Sequence, residues 1–168
     1  MSETIDVVVE IPRGSRNKYE YDHVTNRIRL DRVLHSSVHY PTDYGFLPET
    51  LATDGDPLDV LIIVHEPNYP GVELPVRPIG VLRMRDEHGE DEKILGVPVG
   101  DPRFDDIEDI EDLRQHWLKE IENFFATYKL LEDKETELHG WEGSRQARAV
   151  IAESRRRYRE TIEGSAAP

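Results

Sequence analysis

The chain has 168 residues with 35 acidic and 21 basic side chains, a formal net charge of -14, so its overall field opposes a nucleic-acid backbone or an anionic membrane. It has no cysteine, which excludes disulfides, thiolate metal sites and cysteine nucleophiles and leaves oxygen or imidazole as the only metal donors. The longest apolar run, Val60 to Val64, is far short of the roughly 20 residues that cross a bilayer, and the N-terminal MSETIDVVVEIP lacks a basic leader region, so a soluble, cytoplasmic protein is expected.

The first hundred residues predict short strands separated by turns: IDVVVEI, YEY and RIRL, with PRGSRN and DHVTN between them. LDVLIIV, rich in β-branched residues, predicts a buried strand that opens at Leu58. GVLRMR and KILGVPV flank DEHGED, which reads as a charged hairpin loop with Gly89 near its tip. From Asp109 the period changes. Ile110, Leu113, Trp117, Ile121, Phe124 and Tyr128 form the stripe of an amphipathic helix. A second helix is expected from about Arg145, with Ser144 as N-cap, Ala147, Val150, Ile151, Tyr158 and Ile162 on one face, and a fraying tail, EGSAAP. Strands followed by helices, with no dividing linker, predict a single α+β domain over 1–168 with a small closed or sandwich-like β body.

DGDPLDV sets Asp54, Asp56 and Asp59 within one short segment, where Gly55 permits a tight turn and Pro57 stiffens it. Such a cluster is tolerated where it is solvated, paired with cations or coordinated to a metal. An EF-hand is excluded, because the fifth and twelfth positions counted from Asp54 hold Leu58 and His65. An open site for a hard cation such as Mg²⁺ remains, beside the plain alternative of a solvated turn. DEHGEDEK adds Asp86 and Asp91, followed by Lys93; two acidic loops at neighbouring strand ends suit a pair of metals about 4 Å apart. Lys18, Arg32 and Lys129 are candidate cations for an anionic substrate, although each alone reads as a surface charge. The seven histidines show no zinc-binding spacing, and His88 within the acidic loop reads first as a solvent-facing turn residue.

These segments resemble the Mg²⁺-dependent family I inorganic pyrophosphatases of bacterial type. DGDPLDV matches the family signature at every position, and EIPRGSRNKYEYD, RLDRVL, YPTDYGFLPETL, RPIGVLRMRDEHGEDEK and FFATYK are similar to family segments in family order, from about Val7 to Lys129. The resemblance implies Asp54, Asp59, Asp86 and Asp91 as metal ligands, with Asp59 bridging two ions and Glu10 contributing through water. It implies Asp56 as general base and Lys18, Arg32, Tyr44, Lys93, Tyr128 and Lys129 as phosphate-binding groups, with Glu20 and Asp43 as supporting acids. It further implies several Mg²⁺ ions per site, magnesium pyrophosphate as substrate, a five-stranded OB-like closed β-barrel with two flanking C-terminal helices, and a homohexamer. Leu130, where the family commonly has an acid, and ETELHGWE depart from the pattern at the cavity rim.

The rival readings are an OB-like module for single-stranded nucleic acid and an inactive paralogue that only binds Mg²⁺ and phosphate. The acidic balance and the absence of Lys or Arg among Tyr40, Tyr44 and Phe46 disfavour the first; the intact set of polar site residues disfavours the second.

Overall fold

The computed structural model describes residues 3–166. Eight strands are followed or interrupted by two helices: β1 (Ile5–Ile11), β2 (Asn17–Asp22), β3 (Arg27–Val33), β4 (Asp43–Leu47), β5 (Leu58–Ile62), β6 (Glu73–Asp86), β7 (Gly89–Pro98), α1 (Gln115–Thr127), β8 (Glu137–Gly143) and α2 (Ser144–Ala166). β1, β4, β5, β7 and β6 pair in that order and β6 pairs again with β1, so five strands form a ring of ladders, to which β8 is added along β6. β2 and β3 form a separate hairpin. All pairings are antiparallel except β5 with β7.

Alternation along the strands sorts the apolar side chains into two cores. On β5, Leu58, Val60 and Ile62 join Ile5, Val7, Val9 and Ile94 in a core capped by Ala147 and Ile151 of α2. Leu61 and Ile63 fall into the other core, with Leu95 and Val97 of β7 and with Leu118, Ile121, Phe124 and Phe125 of α1. By the same two-residue period, Asp59, Asp91 and Lys93 share the α1 side of the sheet with Leu61, Leu95 and Val97. Close approach of main chains adds its own demand: a Cβ on Gly45 of β4 would lie 2.0 Å from the Val8 carbonyl oxygen of β1.

Several expectations shift. The DEHGED loop narrows to a two-residue turn at Glu87 and His88, because its flanking charges enter the ladder: Met84 pairs with Asp91, Arg85 with Glu90 and Asp86 with Gly89. The first helix starts at Gln115 and not at Asp109. Asp109 and Asp112 close a reciprocal capping box on a 3-10 turn over Ile110–Asp112, after which Leu113 and Arg114 are extended. Ser144 does open α2, yet its hydroxyl donates to Asp109 Oδ2 at 2.6 Å. Ile162 is not on a buried face; it is 48% exposed, since α2 runs past the end of the core, and the helix continues to Ala166 through most of the segment expected to fray. The last two residues of that tail lie outside the described residues. β4 and β8 carry no strand pattern in their sequences; β8 pairs with β6 from Gly143 opposite Gly80 to Glu137 opposite Arg85.

Candidate active site

At the acidic turn, Gly55 has φ +91°, a conformation costly for other residues, and Ala52 N donates to the Asp56 carbonyl at 2.8 Å. Asp56 N donates to Asp54 Oδ1 at 3.0 Å, so the two carboxylates project from one short loop while Asp59 stands one residue inside β5. Parallel pairing sets Asp59 in register with Lys93 of β7. Lys93 Nζ lies 3.0 Å from Asp59 Oδ2 and 3.0 Å from Asp91 Oδ2, and donates to Tyr44 Oη at 2.8 Å. On the β6–β7 turn, Asp86 and Glu87 lie 3.5 and 3.1 Å from Lys129 Nζ, which follows the end of α1. Lys18 and Arg32 face each other across β2 and β3, and both pair with Asp31, at 3.4 and 2.6 Å. Glu10 sits where the β1–β4 register slips between Val9 and Ile11, and its Oε2 accepts from Tyr21 N at 2.8 Å.

The twelve residues expected to act, Glu10, Lys18, Arg32, Tyr44, Asp54, Asp56, Asp59, Asp86, Asp91, Lys93, Tyr128 and Lys129, all line one cavity of about 320 Å³, as does Glu20. Asp43 does not. It is fully buried at the start of β4, where it accepts from Arg13 N at 2.8 Å and from Asn68 N and Nδ2 at 3.1 and 2.9 Å, a role in holding loops. The cavity also takes in Asp31, Glu87 and Lys134 and the rings of His23 and His88, with His88 Nε2 3.6 Å from Glu87 Oε1. Glu87 carries a signal in the sequence, standing beside Asp86 in the same acidic run, whereas nothing local marks Lys134 or Glu132, which lie between Leu130 and ETELHGWE. Glu132 reaches the site through Arg32. Its Oε1 is 2.8 Å from Arg32 Nε, close enough for an ion pair but not aligned as a hydrogen bond, and its buried Oε2 lacks a hydrogen-bond partner among the described residues.

Nine carboxylates and five Lys or Arg side chains surround the space. Burial, and then the neighbouring Asp91 charge, raise Asp59 above the usual aspartate range despite Lys93, because one ammonium cannot compensate two acids. Burial works against the Lys93 ammonium, yet Asp59 and Asp91 together hold its pKa well above the usual lysine range. Loss of surrounding water, and the charges of Asp59, Asp91 and Asp56, raise Asp54 as well, although Asp56 N donates to it. Burial lifts Tyr44 well above, and Tyr128 above, the tyrosine range, so both keep their hydroxyl protons near neutrality.

Among the described residues no three histidine or carboxylate groups converge closely enough to cage a metal ion unaided. The donor set nonetheless fits hard cations: oxygen only, facing an open cavity, and in excess over the available positive charge.

An inorganic pyrophosphatase family model matches residues 7–159. The chain belongs to the inorganic pyrophosphatase family. It is 53% identical over 154 residues to the inorganic pyrophosphatase of Methanosarcina mazei, which covers 92% of this chain and 91% of that one. It is 51% identical over 156 residues to that of Geobacillus stearothermophilus, covering 93% and 94%. The crystal structure of the Thermus thermophilus inorganic pyrophosphatase superposes with a TM-score of 0.91 at 46% identity, covering 94% of this chain and 92% of that chain. Like those members of the inorganic pyrophosphatase family, the chain is a mainly β protein with two helices in its C-terminal part. No helix among its described residues is long and apolar enough to cross a membrane.

Proposed function

We propose that this chain hydrolyses inorganic pyrophosphate to two orthophosphates with the help of divalent cations, Mg²⁺ first among them, and that magnesium pyrophosphate is its substrate. The observation that carries this reading is the convergence of nine acids and five cationic side chains on one cavity, in a chain of this family. Asp54, Asp59, Asp86 and Asp91 are the carboxylates to hold the cations, with Glu10 reaching them through water. Bound there, divalent cations supply Lewis acidity, lowering the pKa of water and neutralising phosphate oxygens.

The remaining work falls to the chain. Asp56 is exposed at the loop tip, where its carboxylate takes a proton from the attacking water as general base. Lys18, Arg32 and Lys129 exchange their carboxylate partners for phosphate oxygens as the substrate enters, while Lys93, its three protons engaged by Asp59, Asp91 and Tyr44, stays in place and contributes its charge. Tyr44 and Tyr128, kept protonated by burial, donate hydrogen bonds and accept no charge. Charge that grows on the departing phosphate is met by ammonium and guanidinium groups already fixed in place.

The ring of ladders supports a closed five-stranded, OB-like barrel, within a single domain spanning 1–168. A cytoplasmic homohexamer completes the proposal, supported by the resemblance to prokaryotic members of the family.

The test is phosphate release from pyrophosphate, ATP and a phosphate monoester, each with and without Mg²⁺. Release from pyrophosphate that requires Mg²⁺ is expected, with Asp56→Asn keeping the fold but losing at least about a hundredfold in turnover. Undiminished turnover in excess chelator would overturn the cation-dependent reading.

A further inference from the structure

We infer that helix α2 clamps the acidic loop from behind, and that Arg157 is a positioning residue for Asp54 and Asp56; only the kinetic part of this inference rests on the proposed hydrolysis. Leu51, which leads into the loop, has both main-chain polar groups engaged by α2. Its N–H donates to the Ser154 carbonyl at 2.9 Å, and its carbonyl accepts from Arg157 Nη1 at 3.4 Å. Ser154 is completely buried, although most of α2 beyond it is exposed, so the contact with the loop anchors the helix there, beside the ion pair of Arg155 with Glu3.

Past Leu51 the loop is internally braced. Ala52 N donates to Asp56 O at 2.8 Å, Gly55 N to Ala52 O at 3.1 Å, and Thr53 Oγ1 to Glu90 O of β7 at 3.2 Å. The loop is thus held at two places, by β7 at Thr53 and by α2 at Leu51, and the bonds of Ala52 link a displacement of Leu51 to the carboxylate-bearing tip. Behind the loop a pocket of about 10 Å³, near the size of one water, is lined by Ser154 and Arg157 on one side and by Asp54 and Asp91 on the other.

Like charges supply the reason for a clamp. Asp54, Asp56, Asp59 and Asp91 repel one another, and that repulsion pushes the loop away from β5 and β7 whenever no cation is bound. A tether made to the main chain of Leu51 resists this without placing another charge in the cavity, and it leaves the carboxylates free.

Three variants test this: Arg157→Ala, Arg157→Lys, which retains one donor, and Arg156→Ala on the same helix, where Arg156 pairs with Glu153 and Glu160. The first readout is amide hydrogen exchange of the peptide covering residues 51–58 in metal-free protein. Arg157→Ala should speed exchange there by about fivefold, the size of one lost hydrogen bond, with exchange in β6 unchanged. Arg156→Ala should leave it as in the native chain, and Arg157→Lys should restore it to within about twofold. The second readout is the Mg²⁺ concentration for half-maximal phosphate release, which should rise by about fivefold in Arg157→Ala while KM at saturating Mg²⁺ moves by less than about twofold. Unchanged exchange at 51–58 in folded Arg157→Ala, or an equal rise in Arg156→Ala, overturns the clamp. A native chain that releases no phosphate overturns the proposed function instead, and the exchange result still decides the clamp.

Discussion

Glu10 is a carboxylate held where its charge is unwelcome. Burial comes first and the nearby Asp59 charge adds to it, and against the hydrogen bond from Tyr21 they raise its pKa from 4.5 to about 7. The folded chain thus binds this proton more tightly than the unfolded chain does. Its contribution to stability is complete below pH 4.5 and is lost as the pH rises through 7. Glu10→Gln keeps an oxygen to accept from Tyr21 and removes the charge, so in chelator it should be more stable than the native chain by about 1–3 kcal/mol at neutral pH, a difference that vanishes in acid. Urea midpoints measured across the pH range check this; a variant less stable at every pH would show that the carboxylate is well accommodated. The same position shows what spacing conceals. Glu10 lies in the apolar run IDVVVEI on the face opposite Val7 and Val9, and the slip between Val9 and Ile11 brings Ile11 to the cavity beside it.

Among the elements, the contact of β1 with β4 depends on a missing side chain. A Cβ at position 45 meets the Val8 carbonyl, and main-chain atoms on paired strands cannot give way cheaply. Gly45→Ala should cost about 1–3 kcal/mol, seen as a lower urea midpoint with an unchanged slope. An unaltered midpoint would mean that the ladder slides to make room. This glycine also explains why β4 was illegible: DYGFL carries a residue that weakens strands in isolation, and it is a strand because its neighbour comes so close. β5 was legible to its first residue, since a β-branched run needs no such context. Ile110 and Leu113 keep helical spacing, yet the chain makes only a capped 3-10 turn there and is extended at Leu113 and Arg114 before α1 begins. Candidate site residues in DGDPLDV stand out through local chemistry, whereas the meeting of Asp59 with Lys93 follows from parallel register, which no local pattern encodes.

For the molecule as a whole, the net charge of -14 and the nine acids around the cavity act in the same direction. Self-repulsion makes the metal-free state salt-sensitive, but general screening and specific occupancy differ in size. Mg²⁺ at about a hundred times its dissociation constant should raise the melting temperature by about 5–10 °C above that in K⁺ of equal ionic strength. Equal shifts in the two salts would reduce the effect to screening and remove the cation sites.

The bonds from Lys93 to Asp59, from Lys93 to Tyr44 and from Lys129 to Glu87 span 34, 49 and 42 residues of chain. Each therefore waits on distant segments to arrive, and none can be made by a fragment that has acquired only its nearest neighbours. The cavity is for that reason complete only once distant segments of the chain have met, and a half-built chain does not possess it.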